Sequence, residues 1–132
     1  MMLGYIEHLG IMAENTRNLA EWYQSVLDFS VLAEIPGEIP TFLLRQAGGG
    51  AFLEIMPKSH ECSMPDFSGK SFMHIALRVE NFDAAIEGLR SLQIPIEKIK
   101  SAPGNAQLAF FRDPEGNLLQ FVYRSEEPEW LS

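Results

Sequence analysis

Ile6-Glu7-His8-Leu9-Gly10-Ile11-Met12-Ala13-Glu14-Asn15 returns in outline 66 residues later as Phe72-Met73-His74-Ile75-Ala76-Leu77-Arg78-Val79-Glu80-Asn81. The offset is half of the 132-residue chain. At the same offset, without a gap, Gly50-Ala51-Phe52-Leu53-Glu54-Ile55-Met56 lies on Gly116-Asn117-Leu118-Leu119-Gln120-Phe121-Val122. Identical pairs include His8/His74, Glu14/Glu80, Asn15/Asn81, Glu21/Glu87, Ser25/Ser91, Gly50/Gly116 and Leu53/Leu119, and apolar residues meet apolar ones between them. The chain therefore reads as two copies of one unit.

Each copy opens on a short strand, 5–12 or 72–79, apolar on both faces apart from its histidine, so that a cover on both sides is expected. A helix follows. Asn15-Thr16 stands before Leu19, Trp22, Tyr23, Val26 and Leu27, and Asn81 before Phe82, Ala85, Ile86 and Leu89, with the capping residue and spacing of an amphipathic helix. Shorter strands are expected near 29–35, 41–47 and 51–57, and again near 94–100, 107–112 and 117–124. Gly48-Gly49-Gly50 and Asp113-Pro114-Glu115-Gly116-Asn117 supply the tight turns into the last strand of each copy. The fold class is α+β, with the unit β-α-β-β-β written twice. We read one domain over 1–132: module one at about 4–57, a Pro, Ser, Gly and charge-rich linker at 58–71, module two at about 72–124, and an acidic tail at 125–132 whose Trp130 is expected to pack on a neighbouring surface.

Composition narrows the function classes. Ten basic against eighteen acidic side chains give a formal charge of −8, which repels a phosphate backbone and argues against nucleic acid as a partner. No apolar run approaches the roughly 18 residues of a membrane span, and Met1 to His8 has neither the basic start nor the apolar stretch of a signal peptide. A cytoplasmic protein acting on a small molecule is the expectation. Cys62 is the only cysteine and sits in a polar stretch, so no intramolecular disulfide forms. His60, between Ser59 and Glu61, reads as a solvated side chain.

Four polar side chains break the apolar strands. Residues i and i+2 share a face, so His8 sides with Ile6 and Gly10, Glu54 with Phe52 and Met56, His74 with Phe72 and Ala76, and Gln120 with Leu118 and Val122. A carboxylate held there without a partner costs on the order of several kcal/mol, which a metal cation compensates. A lone histidine on an apolar face is more often a satisfied core group. Here the two histidines are one repeat apart, and so are Glu54 and Gln120, which makes His8, Glu54, His74 and Gln120 the candidate metal ligands.

The stretches Ile6 to Ile11, Phe52-Leu53-Glu54-Ile55, Met73 to Val79 and Phe111-Arg112-Asp113-Pro114-Glu115-Gly116-Asn117-Leu118-Leu119-Gln120 resemble the vicinal oxygen chelate superfamily of glyoxalases, epimerases, extradiol dioxygenases and bleomycin-resistance proteins. The resemblance covers essentially the whole chain and is closest to glyoxalase I-like members. It implies paired βαβββ modules curling as a mixed sheet around a cupped cavity, one divalent ion (Zn, Ni, Mn or Fe(II)) and a homodimer. Glyoxalase-type members carry a second glutamate where this chain has Gln120, and epimerase-type members carry the set His, Gln, His, Glu, which this chain matches with its modules exchanged. Glutathione-using members hold an arginine and an asparagine where Met12 and Lys58 stand, which argues against glutathione.

With one carboxylate and neutral His and Gln ligands the formal charge of a divalent site is about +1, against zero for two glutamates. Such an ion keeps positions for vicinal substrate oxygens, as an enediolate requires. The leading expectation is lyase or isomerase chemistry on a small carbonyl or thioester substrate, with Glu54 as the catalytic proton carrier. Two alternatives remain: a non-haem Fe(II) ring-cleaving dioxygenase built on two histidines and a carboxylate, and a non-catalytic binder of an aromatic or drug-like ligand lined by Phe42, Phe52, Phe110 and Tyr123. Arg45, Arg78 and Arg112 read as surface or strand-end charges.

Overall fold

The computed structural model describes residues 1–2, 4–58 and 73–131. Cys62, His60 and all of the expected linker except Lys58 lie outside the described residues. The chain divides into two compact units, Met1–Pro65 and Asp66–Ser132. In the first, β1 (His8–Ala13), α1 (Thr16–Leu27), β2 (Phe29–Ile35), β3 (Thr41–Gln46) and β4 (Phe52–Pro57) follow one another. In the second, β5 (Ile75–Arg78), α2 (Phe82–Ser91), β6 (Ile96–Ala102), β7 (Ala106–Arg112) and β8 (Leu118–Arg124) repeat the order, and a 3-10 turn, Glu129–Leu131, follows. Each unit is a four-stranded mixed sheet, β1-β4-β3-β2 or β5-β8-β7-β6, in which the first and last strands pair in parallel. Among the described residues no helix is long and apolar enough to cross a membrane.

The helices begin where the sequence places them. The Asn15 side chain accepts from the Asn18 backbone N–H at 2.9 Å, and that of Asn81 from Ala84 at 3.0 Å. Each satisfies one of the donors that a helix start leaves unpaired. Asn15→Ala and Asn81→Ala are each expected to cost about 1 kcal/mol, read as a lower urea midpoint at unchanged slope.

One face of each sheet is closed by its own helix. In the first unit Leu19, Ala20, Tyr23 and Leu27 of α1 are buried, as are Phe42, Leu44, Leu53 and Ile55 of the sheet. In the second, Phe82, Ile86 and Leu89 of α2 are buried, as are Leu77, Ala109, Phe111, Leu119 and Phe121, with the Phe111 and Phe121 rings 4.6 Å apart. Each buried Leu, Ile or Phe among them gains about 1.5–3 kcal/mol from leaving water. The opening strands depart from expectation. β1 starts at His8, not at residue 5, and Tyr5, Ile6, His8, Leu9 and Gly10 are exposed, as are His74 and Ala76 in the second unit. Each helix covers only one side of these opening strands, and their other side stays exposed at His8, Gly10, His74 and Ala76.

The two hairpins close in different registers. In the first unit Leu43 pairs with Glu54 and Phe42 with Ile55, whereas in the second Phe110 pairs with Gln120 and Ala109 with Phe121. Strict repetition at 66 would pair Ala109 with Gln120. A one-residue slip transfers a strand's side chains to the opposite face. The turns differ accordingly: Gly48, Gly49 and Gly50 all have positive φ (99°, 85° and 85°). The second turn is instead held by buried Asp113, which accepts from the backbone N–H groups of Glu115 and Asn117 and from the Asn117 side-chain amide at 2.8–3.0 Å, with Gly116 at φ 87°. Turn geometry fixes hairpin register. Leu108 and Phe110 thus share the face of Gln120, while Phe42 and Leu44 lie on the helix-covered face of their sheet.

Candidate metal centre

In the first unit β1 and β4 pair His8 with Phe52 and Gly10 with Glu54. Parallel partners point to the same side, so His8 and Glu54 share the face that α1 leaves uncovered. At about 4.8 Å between strands and about 6.6 Å along two residues, their Cα atoms stand roughly 8 Å apart. The residue opposite the carboxylate is Gly10, and a Cβ added there would come within 3.0 Å of the Met56 terminal methyl. The His8 ring stacks on Phe52 with centroids 5.0 Å apart and planes inclined by 23°. Its Nδ1 lies 3.0 Å from Glu7 Oε1. An ionised carboxylate only accepts, so Nδ1 carries the proton, and in the neutral ring Nε2 is left with its lone pair. Glu54 is half-buried, and among the described residues its carboxylate makes neither a hydrogen bond nor an ion pair.

The second unit repeats the arrangement. Ala76 pairs with Gln120, as Gly10 does with Glu54 at the 66-residue offset, and His74 stands two residues before Ala76. Gln120 is only 7% exposed, yet among the described residues its amide is engaged by no protein partner. None of its polar atoms is sealed from solvent without a hydrogen bond. The His74 ring meets Phe110 edge-on at 6.2 Å, and Phe110 is the cross-strand neighbour of Gln120. Around it Ala106, Leu108, Leu118, Val122 and Ala102 form an apolar cluster.

The four expected ligands therefore fall into two pairs at matching registers, one in each unit. Among the described residues no three His, Cys, Asp or Glu side chains are grouped as a metal site. The donor chemistry nonetheless fits a divalent ion: a free imidazole nitrogen on His8, an unengaged carboxylate on Glu54 and an unengaged amide on Gln120 are all acceptors of a cation.

The neighbouring residues stand partly as expected. Of the four aromatics named as lining, Phe52 and Phe110 lie on the ligand faces, whereas Phe42 is on the side of α1, under Arg17 at 5.1 Å, and Tyr123 is on the face opposite Gln120. Arg78 pairs with Glu127 at 2.8 Å and Arg112 with Glu97 at 2.8 Å. Trp130 lies 5.1 Å from the Arg124 guanidinium yet stays 71% exposed, so it packs far less than its size suggested. Glu7, the partner of His8, has adjacency as its only signal in the sequence. Lys98 and Lys100 carry a stronger one, the i, i+2 spacing of a shared strand face.

The family model for the Glyoxalase/Bleomycin resistance protein/Dioxygenase superfamily matches residues 5–121. No curated protein matches the chain. Among solved structures, a glyoxalase family protein from Enterococcus faecalis superposes with a TM-score of 0.74 at 25% identity, covering 92% of this chain and 99% of that one. TnmS3, an antibiotic binding protein from Streptomyces sp. CB03234, gives 0.75 at 21% identity over 95% and 99%. A lactoylglutathione lyase from Agrobacterium tumefaciens gives 0.71 at 15% identity over 92% and 94%. At these last two identities the likeness concerns the fold.

Proposed function

Since the chain belongs to the Glyoxalase/Bleomycin resistance protein/Dioxygenase superfamily, we propose that it is a metal-dependent lyase or isomerase acting on a small carbonyl or thioester substrate. The observation that carries this reading is the unengaged Glu54 carboxylate on the same sheet face as His8, matched in register by Gln120 and His74. A divalent ion bound by His8, Glu54, His74 and Gln120 would supply Lewis acidity toward a carbonyl oxygen. Glu54 accepts the proton of the carbon next to that carbonyl and returns it to the neighbouring position. Gln120 is neutral and cannot take that proton, so a single carboxylate serves both transfers. Phe52, stacked on His8, limits the rotation of the imidazole and keeps water from that side of the ring. The reading also takes the protein as cytoplasmic, and as the homodimer that the resemblance implies.

The test is turnover of methylglyoxal hemithioacetals and 2-substituted acyl thioesters by protein loaded in turn with Zn, Ni, Mn and Fe(II). Wild type is expected to exceed Glu54→Gln by about 10²–10⁴-fold, the usual weight of a general acid–base group. Equal rates in the two proteins would remove the proposal.

A non-catalytic ligand binder is the second reading, favoured by the likeness to an antibiotic binding protein at a TM-score of 0.75 and by the Phe52 and Phe110 rings beside the two histidines. Tight binding of an aromatic ligand by protein that takes up no metal would support it over the first.

A further inference from the structure

Five of the chain's ten basic side chains share one sheet face in the second unit, three of them, Lys98, Lys100 and Arg112, through the slipped hairpin. Lys98 pairs with Phe110, Lys100 with Leu108 and Arg112 with Leu118, all on the side of Gln120, and Arg78 and Arg124 share that side on β5 and β8. In a chain of formal charge −8 this is a local reversal of sign. Arg78 and Arg112 are neutralised by Glu127 and Glu97. Among the described residues Lys98 and Lys100 have no carboxylate partner, and both are exposed on the edge strand β6.

The geometry joins these lysines to the candidate site. One row runs straight across the sheet from Ala76 through Gln120 and Phe110 to Lys98. Gln120 and Lys98 are two strands apart, roughly 10 Å between Cα atoms. The Lys100 ammonium leans over the Phe110 ring at 5.7 Å from its centroid, and the same ring meets His74 at 6.2 Å. The buried Phe110 thus stands between a neutral amide and an imidazole on one side and two cations without a carboxylate partner on the other. This unit contributes no carboxylate to the proposed ligand set, so the positive charge is left for something brought in.

We propose that the substrate carries an anionic group, a carboxylate or a phosphate, received by the exposed Lys98 and Lys100. The inference rests on the enzyme reading for the place of the reacting carbon, and on the second unit alone for the anion. Lys98 and Lys100 are specificity residues, since they meet a remote part of the substrate.

The test compares methylglyoxal hemithioacetals of three thiols: 3-mercaptopropionate, its neutral amide, and 2-mercaptoethyl phosphate. A charge-assisted contact predicts kcat/KM on the order of tenfold higher for an anionic thiol than for the amide, a preference that shrinks as salt rises. A preference for either anion supports the proposal, and the larger ratio names the class. The double variant Lys98→Gln/Lys100→Gln should bring the ratio close to one. Lys98→Arg/Lys100→Arg should keep it. Binding is read separately, from backbone amide shifts of residues 98–100 and 110 on titrating unreactive 3-(methylthio)propionate or its amide. Shifts with the acid alone, lost in the Gln variant, support the anion site even if no hemithioacetal turns over, in which case the enzyme reading falls by itself. Turnover with equal kcat/KM for acid, phosphate and amide, or equal shifts with acid and amide, would overturn the proposal and leave the enzyme reading standing.

Discussion

Protein purified without a chelator or an affinity tag should carry about one divalent ion per chain, and His8→Ala and Glu54→Gln should each lose it. The expected loss is large because the two residues supply different donors from one sheet face, at register positions that pair Gly10 with Glu54 and His8 with Phe52. An outer partner that only orients a metal-bound histidine is worth about 10–100-fold in affinity, so deleting a ligand itself should cost more than about 100-fold. Glu54→Gln is the sharper variant, since it keeps volume and one acceptor oxygen and removes only the charge. In that variant the formal charge of the loaded site would rise from about +1 to about +2, with no anion left to balance the ion. Elemental analysis after dialysis checks it. Retention of one ion per chain in both variants would remove these residues from the ligand set.

The largest effect on stability is expected from Phe111→Ala. Its side chain is fully buried, beside the Phe121 ring, in a strand that pairs on both sides with β6 and β8. Truncating a buried phenylalanine costs about 3–5 kcal/mol, from lost transfer free energy and the cavity left behind. Urea unfolding followed by far-UV circular dichroism should show it as a lower midpoint. Phe110→Ala, one residue away on the opposite face, separates the two roles: its ring is 5% exposed and lies beside His74 and Gln120, so its loss should alter ligand binding as well as stability.

Much of the fold was legible because the repeat doubled every signal. Asn15 and Asn81 begin helices as their side-chain chemistry requires, and β2 runs over the expected 29–35. The pairing of Glu54 with Gly10 and of Gln120 with Ala76 keeps the 66-residue offset seen in the letters. Period-two reasoning therefore put His8 with Glu54, and His74 with Gln120, on common faces. The same reasoning failed for the opening strands, since hydrophobic letters report a preference for burial and not which neighbour provides it.

What the sequence by itself determined is the double βαβββ unit, its helix starts and the identity of the polar residues that interrupt its strands. All of these are local or periodic properties, read from spacing along the chain. Only the tertiary structure decided which face the second hairpin shows. The glycine turn at 48–50 and the Asp113-anchored turn at 113–117 close their hairpins one residue out of step, and a slip of one residue inverts every side chain of a strand. Phe110, Lys98 and Lys100 stand beside Gln120 for that reason, whereas Phe42, grouped with Phe110 by its chemistry, lies beneath a helix.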